Sequence, residues 1–152
     1  MDYQLIKAVP VDIEILYQIV QVSMKQPVQS ITSLHFQEFK EEFLPKINQT
    51  WLILSQDKPI GRLRLENNRD SIHIGGIQIL PEFQGGGIGG DILDKLIIQA
   101  IQNHQSLTLT VHKTNTKAIK FYHSKKFEIT KETDAQYEMQ FNNQSIKSQR
   151  PN

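Results

Sequence analysis

Cysteine is absent from all 152 residues. That excludes a disulfide framework, a thiolate nucleophile and a thiolate metal site, and it fits a reducing cytoplasm. Long apolar runs are missing too, and nothing approaches the ~20 residues of a membrane span. The opening MDYQLIKAVP has neither an apolar core nor a small-residue cleavage pattern, so no signal peptide is expected there. Neither sign of charge is in excess: Lys and Arg number 17 against 16 Asp and Glu. A net charge of +1 gives no electrostatic reason to expect a nucleic-acid or membrane partner. His35, His104, His112 and His123 are scattered without ligand spacing and without a carboxylate cluster, so no metal site is expected. There is no serine-centred nucleophile elbow, and no repeat or linker divides the chain.

Hydrophobic residues make up 38% and charged residues 22%, a globular composition at a length suited to one domain. We expect that domain over residues 1–141 and a polar tail over 142–152, where NNQSIKSQRPN has one apolar residue. Tyr3–Val9 reads as a strand. Pro10 and Asp12 open a helix with Ile13, Leu16, Tyr17 and Val20 on one face. Gln26–Ser33 reads as a loop, followed by a helix carrying Phe36, Phe39 and Phe43 that stops before Pro45. Trp51–Ser55, Ile60–Glu66 and Ser71–Leu80 are joined by short polar turns, which predicts an antiparallel meander. Gly87–Gln102 is the longest helix, with Ile88, Ile92, Leu93, Leu96, Ile97, Ala100 and Ile101 on a broad buried face. Leu107–His112 is a strand and Asn115–Lys125 a helix that Asn115 can cap. Phe127–Thr130 and Tyr137–Phe141 close the chain. The order β-α-α-β-β-β-α-β-α-β-β predicts a mixed, mostly antiparallel α/β sheet flanked by helices.

The most informative segment joins the third meander strand to the longest helix. Gly85, Gly86, Gly87, Gly89 and Gly90 crowd into six positions there. Glycines let a backbone approach a ligand and take positive φ, and a helix start offers unpaired N–H groups at the positive end of the macrodipole. The combination suits an anion, most naturally a phosphate. A P-loop needs Lys and a hydroxyl after the glycines, but here they run into Ile88, Gly89, Gly90 and Asp91. A dinucleotide fold needs the turn in its first βαβ unit, with an acid about 20 residues on. Neither pattern is met, so a nucleotide-binding protein is the weakest reading.

Pro81-Glu82-Phe83-Gln84-Gly85-Gly86-Gly87-Ile88-Gly89 resembles the acetyl-CoA loop of the GNAT N-acetyltransferase superfamily. That pattern is Gln or Arg, two residues, Gly, one residue, then Gly or Ala, and Gln84, Gly87 and Gly89 meet it. Asn115-Thr-Lys-Ala118-Ile-Lys-Phe121-Tyr122, followed by Phe127, is similar to the family's second segment. The element order agrees over about residues 3–141. The resemblance implies acetyl-CoA as co-substrate, with Gln84, Gly85, Gly86, Gly87, Ile88, Gly89 and Gly90 around its pyrophosphate. It implies that two central parallel strands splay and that the backbone of Ile77 and Ile79 pairs with the pantetheine arm, as an added strand would. Ala118 would lie beside that arm, and Asn115 would contact it or an ordered water, a role compatible with capping. Three positions depart from the pattern. Gly90 replaces a commoner polar or small residue and weakens the helix start. Gly86 stands where Lys or Arg is usual, which leaves the phosphates to backbone groups and to Lys113 or Lys117. Lys126 stands where Gly often stops the helix, which puts that stop in question.

Acyl transfer from a thioester to an amine needs a neutral amine, a stabilised oxyanion and a protonated or held thiolate. The resemblance makes Tyr122 the general acid; without it, Tyr122 reads as a packed aromatic. For the base, His73 and Glu66 are the candidates, with a water chain as the third option. An imidazole titrates near neutrality, which suits the task. His73 shares a face with Ile77 and Ile79 only if Gly75-Gly76 hold no bulge. Without a nucleophile elbow, direct attack in a ternary complex is expected. A non-catalytic acyl-CoA-binding module of the same fold is the alternative. In this family the segment between the first two helices and the second helix wall the acceptor site. Glu38, Glu41 and Glu42 there are either solvated or draw a cationic amine. A small amine-bearing acceptor is expected ahead of a protein, on a monomer or homodimer.

Overall fold

The computed structural model describes residues 2–23 and 35–142. The expected loop Gln26–Ser33, and residues 143–152 of the expected tail, lie outside the described residues. Seven strands form one sheet: β1 (Gln4–Lys7), β2 (Thr50–Ser55), β3 (Lys58–Asn67), β4 (Ser71–Ile79), β5 (Ser106–His112), β6 (Phe127–Glu132) and β7 (Gln136–Phe141). Among the described residues four α-helices join them: α1 (Ile13–Ser23), α2 (Phe36–Phe43), α3 (Ile88–Gln102) and α4 (Thr116–Ser124). The order of elements is the one the sequence predicts. In space the strands run β1-β2-β3-β4-β5-β7-β6, antiparallel except for β4 against β5.

Alternation along the strands creates two apolar layers, one on each face. Ile53 and Leu63 join Ile72, Ile74, Leu107 and Leu109 under α3 and α4. The inner stripe of α3, from Ile88 and Ile92 to Leu96 and Ala100, is buried against them, and Phe127 and Met139 are fully enclosed. Each such aliphatic side chain contributes about 1.5–3 kcal/mol. On the opposite face Leu52 lies under α1 and α2, which bring Ile13, Leu16, Ile19, Val20 and Phe39. Tyr17 packs 5.2 Å from the Phe39 ring, and Phe39 stacks on Phe43 at 4.1 Å between centroids. Pro45 falls in a 3-10 turn, Leu44–Gln49, which ends the α2 layer and leads into β2.

Two irregularities shape the centre of the sheet. Arg64 pairs with Gly76 while Leu65 pairs with Ile74, so Gly75 is an extra residue in β4, a β-bulge. In addition, β4 and β5 are paired only from Ser71–Ile74 against Ser106–Leu109. Beyond that point β4 runs on to Ile79 beside β3, and β5 runs on to His112 beside β7. The two parallel strands therefore part, and the opening between them widens towards the glycine-rich turn.

Candidate active site

The opening is lined on one side by the free edge of β4. Leu80 N donates to Ile60 O at 2.8 Å, and the Ile79 carbonyl accepts from Gln84 Nε2 at 2.8 Å. Peptide groups alternate in direction along a strand. The N–H and C=O groups of Ile77 and Ile79 consequently point away from β3 and into the opening, where the Ile79 carbonyl is taken by Gln84. Gln84 uses its side chain to tie the turn to the strand end.

A short 3-10 turn, Pro81–Phe83, leads from β4 into the glycines. Gly85 and Gly87 take φ of +84° and +87°, in the left-handed region that favours glycine. A Cβ at either would meet nothing within 4 Å, so the turn presents an open surface. Gly87 is the N-cap of α3, and the first helical bond runs from Asp91 N to Gly87 O at 2.9 Å. The N–H groups of Ile88, Gly89 and Gly90 therefore have no intrahelical acceptor. Asp91, the acid of this turn, is engaged by Tyr3 Oη at 2.6 Å and Lys95 Nζ at 3.1 Å. These contacts, the Tyr3 hydrogen bond first, hold its carboxyl below the usual range.

The cation beside this turn is not one the sequence singles out. Lys113 is paired with Glu132 at 2.6 Å and lies over the Tyr137 ring. It is Lys125, just past α4, that reaches the helix start: a Cβ at Gly90 would lie 3.6 Å from its Nζ, which also bonds Asp94 at 2.9 Å. Its signal was its position one turn after Tyr122. Lys126 adopts φ +74°, so the left-handed helix stop is kept without glycine. Asn115 caps α4 by accepting from Ala118 N at 3.2 Å.

Tyr122 is buried on the inner face of α4, with Phe127 at 6.0 Å, in the same apolar layer that Ala118, Ile77 and Ile79 join. Burial pushes its hydroxyl up to about 12, so the proton stays on at neutral pH. The bulge at Gly75 puts His73 on the opposite face from Ile77 and Ile79, correcting the shared face expected of an unbroken strand. Its Nδ1 lies 2.7 Å from Thr108 Oγ1, and its Nε2 3.4 Å from Thr110 Oγ1. It therefore sits where β4 and β5 begin to part. Glu66 is its direct neighbour across β3 and bonds Arg64 Nη1 at 3.3 Å. The sheet thus separates Tyr122 from the pair His73 and Glu66, with the opening between them.

Arg62 and Arg64 share the His73 face. In the sequence they alternate with Leu63 and Leu65, and Arg62 is only 5% exposed. Burial first, then the charge of Arg64, lower its guanidinium to about 10, still cationic at neutral pH. The signal that could have found them is the Gly75-Gly76 pair opposite. Glu38, Glu41 and Glu42 on α2 are exposed, and Glu41 accepts from Gln37 at 3.3 Å on a shallow outer dish with Lys40, Leu44 and Pro45. Among the described residues no group of three or more His, Asp or Glu is placed to hold a metal ion, and no helix is long and apolar enough to cross a membrane.

Comparison with known proteins agrees with this geometry. The family model described as an acetyltransferase (GNAT) domain matches residues 17–143. The chain is 30% identical over 94 residues to the peptidyl-lysine N-acetyltransferase YjaB of Salmonella typhimurium, a match spanning 62% of this chain and 59% of that relative. Its fold is similar to the PaiA N-acetyltransferase of Thermoplasma acidophilum in complex with coenzyme A, with a TM-score of 0.78 at 19% identity over 93% of this chain and 99% of that one. It is also similar to an acetyltransferase of Thermus thermophilus, with a TM-score of 0.77 at 16% identity over 91% and 96% of the two chains. With most of its length matched by that family model, the chain belongs to the GNAT acetyltransferase family.

Proposed function

We propose that the protein is an acetyl-CoA-dependent N-acetyltransferase that passes the acetyl group directly to an amine of a small molecule in a ternary complex. The observation that carries this reading is the parting of β4 from β5 beside a positive-φ glycine turn at a helix start. The pyrophosphate of CoA would rest on the N–H groups of Ile88, Gly89 and Gly90, with Gln84, Gly85, Gly86 and Gly87 shaping the approach and Lys125 alongside. The pantetheine arm would lie in the opening and pair with the peptide groups of Ile77 and Ile79, passing Asn115 and Ala118. Its thioester would then reach the point where the strands meet.

The two faces of the sheet divide the chemistry. The amine would arrive on the α1–α2 face, where His73, or Glu66 through water, takes its proton. Nitrogen attacks the thioester carbon, the tetrahedral intermediate collapses, and the C–S bond breaks. The sulfur leaves towards the α4 face, where Tyr122 supplies a proton. Burial keeps the Tyr122 proton in place at neutral pH, which a proton donor requires.

The test is thiol release from acetyl-CoA with a mixed panel of small amines. Amine-dependent release, with the acetylated amine identified by mass, is expected. Tight CoA binding with no release for any amine would make the chain a binding module instead.

A further inference from the structure

The face that would receive the acceptor carries an unusual pair of cations. The Arg62 and Arg64 side chains lie across β4 at the bulge, where the two glycines leave room for them. A Cβ at Gly75 would collide with the Arg64 guanidinium, and one at Gly76 would lie 2.6 Å from Arg62 Nη2. Arg62 is roofed by the Phe43 ring at 5.2 Å, and its Nε donates to Gln78 Oε1. Among the described residues it has no carboxylate partner and its Nη groups donate to no side chain or backbone oxygen. Arg64 uses Nη1 on Gln49 at 3.2 Å and Glu66 at 3.3 Å, and leaves Nε and Nη2 without a described partner. Of the two guanidiniums only Arg64 meets a carboxylate, and that carboxylate, Glu66, is 42% exposed.

Burying a cation without a counter-ion is costly, and the cost is offset when an anion completes the site. A planar guanidinium matches a carboxylate through paired N–H donors. Arg62 pairs with Gln78 and Arg64 with Gly76, both on the stretch of β4 that has already parted from β5. An anion held there would lie within one or two residues of the point where the thioester is expected. We infer that Arg62 and Arg64 receive a carboxylate, so that the acceptor is an amine that carries its own acid group, as an amino acid does. The inference rests on the acetyltransferase reading. It replaces the attraction of a cationic amine by the α2 glutamates, because Arg62 and Arg64, and not Glu38, Glu41 or Glu42, lie across β4 where it has parted from β5.

The experiment measures kcat/KM for acetyl-CoA with matched acceptors: glycine, β-alanine and glutamate against ethanolamine, phosphoethanolamine and putrescine. Peptides with acidic or neutral second residues form a separate arm that distinguishes a free metabolite from a chain end. CoA binding is measured independently by calorimetry. The expected result is a lead of roughly 10–100-fold for carboxylate amines over their neutral match, the range of a hydrogen bond to a charged group. Arg64→Gln and Arg62→Met should remove most of that lead through KM and leave CoA affinity within about twofold. Arg64, the less buried of the two, serves alone if the Arg62 variant does not fold. A lead for ethanolamine, phosphoethanolamine or putrescine, a carboxylate lead that survives both substitutions, or no acetylation of any acceptor by CoA-competent protein would overturn the inference. Failure of the wild type to bind CoA would instead remove the acetyltransferase reading on which it stands.

Discussion

Tyr122 and His73 lie on opposite sides of one sheet, and that placement makes their roles separable by substitution. Tyr122→Phe removes a hydroxyl and little packing. If the hydroxyl protonates the departing sulfur, kcat should fall roughly 10–10³-fold while the KM for acetyl-CoA changes little. Unchanged turnover with chemistry rate-limiting would refute the role. The same substitution has a stability signature. Burial raises the Tyr122 hydroxyl to about 12 in the folded chain, against an ordinary value near 10. Its protonated form is favoured by folding, so its contribution is complete below pH 10 and is lost as pH rises towards 12. Urea titrations at pH 8 and pH 11 should show wild type losing more stability than Tyr122→Phe, on the order of 1 kcal/mol. His73→Ala and Glu66→Gln address the base. Acceptors of different amine pKa separate the substrate's titration from the enzyme's. A pH–rate profile unmoved by either variant would leave water as the base.

The turn and α3 act as a unit, and their glycines are not equivalent. Gly87 needs positive φ, whereas Gly90 lies inside α3 with ordinary van der Waals room for a methyl group. Gly90→Ala should raise the melting temperature by roughly 1–4 °C through helix propensity while CoA still binds. A fall in stability would mean that the helix start is constrained in a way the geometry does not reveal. Lys125→Ala should weaken CoA binding by roughly 3–10-fold at low salt and by less at high salt. An unchanged affinity would leave the phosphates to backbone N–H groups alone. The sequence made both elements readable, because helical periodicity and the crowding of glycine are local. It did not single out Lys125, whose importance comes from α4 ending beside α3, a contact between segments distant in the chain. Lys126 shows the converse. Its side chain argues against a left-handed stop, yet it takes φ +74° immediately before the fully buried Phe127.

For the protein as a whole, the order of strands and helices was legible from alternation, turn residues and two apolar helix stripes. The faces of the central strands were not. Gly75-Gly76 marked a possible bulge without saying which glycine carries it, and one extra residue inverts every side chain beyond it. That inversion moves His73 to the face of Arg62 and Arg64. Arg62 was equally hidden, since an arginine in an alternating strand reads as solvated until α2 closes over it. The acetyltransferase reading joins all these parts: an opened parallel pair, a phosphate turn at its wide end, an acid on one face and a base on the other. It depends first on CoA occupying that opening. Titration calorimetry of CoA into wild type and Gly87→Val, with circular dichroism confirming that both are folded, tests this most directly. The account predicts saturable binding by the wild type and its loss in the variant, whose side chain would strain the αL position and occupy the open surface of the turn. Equal binding by the two proteins would contradict it.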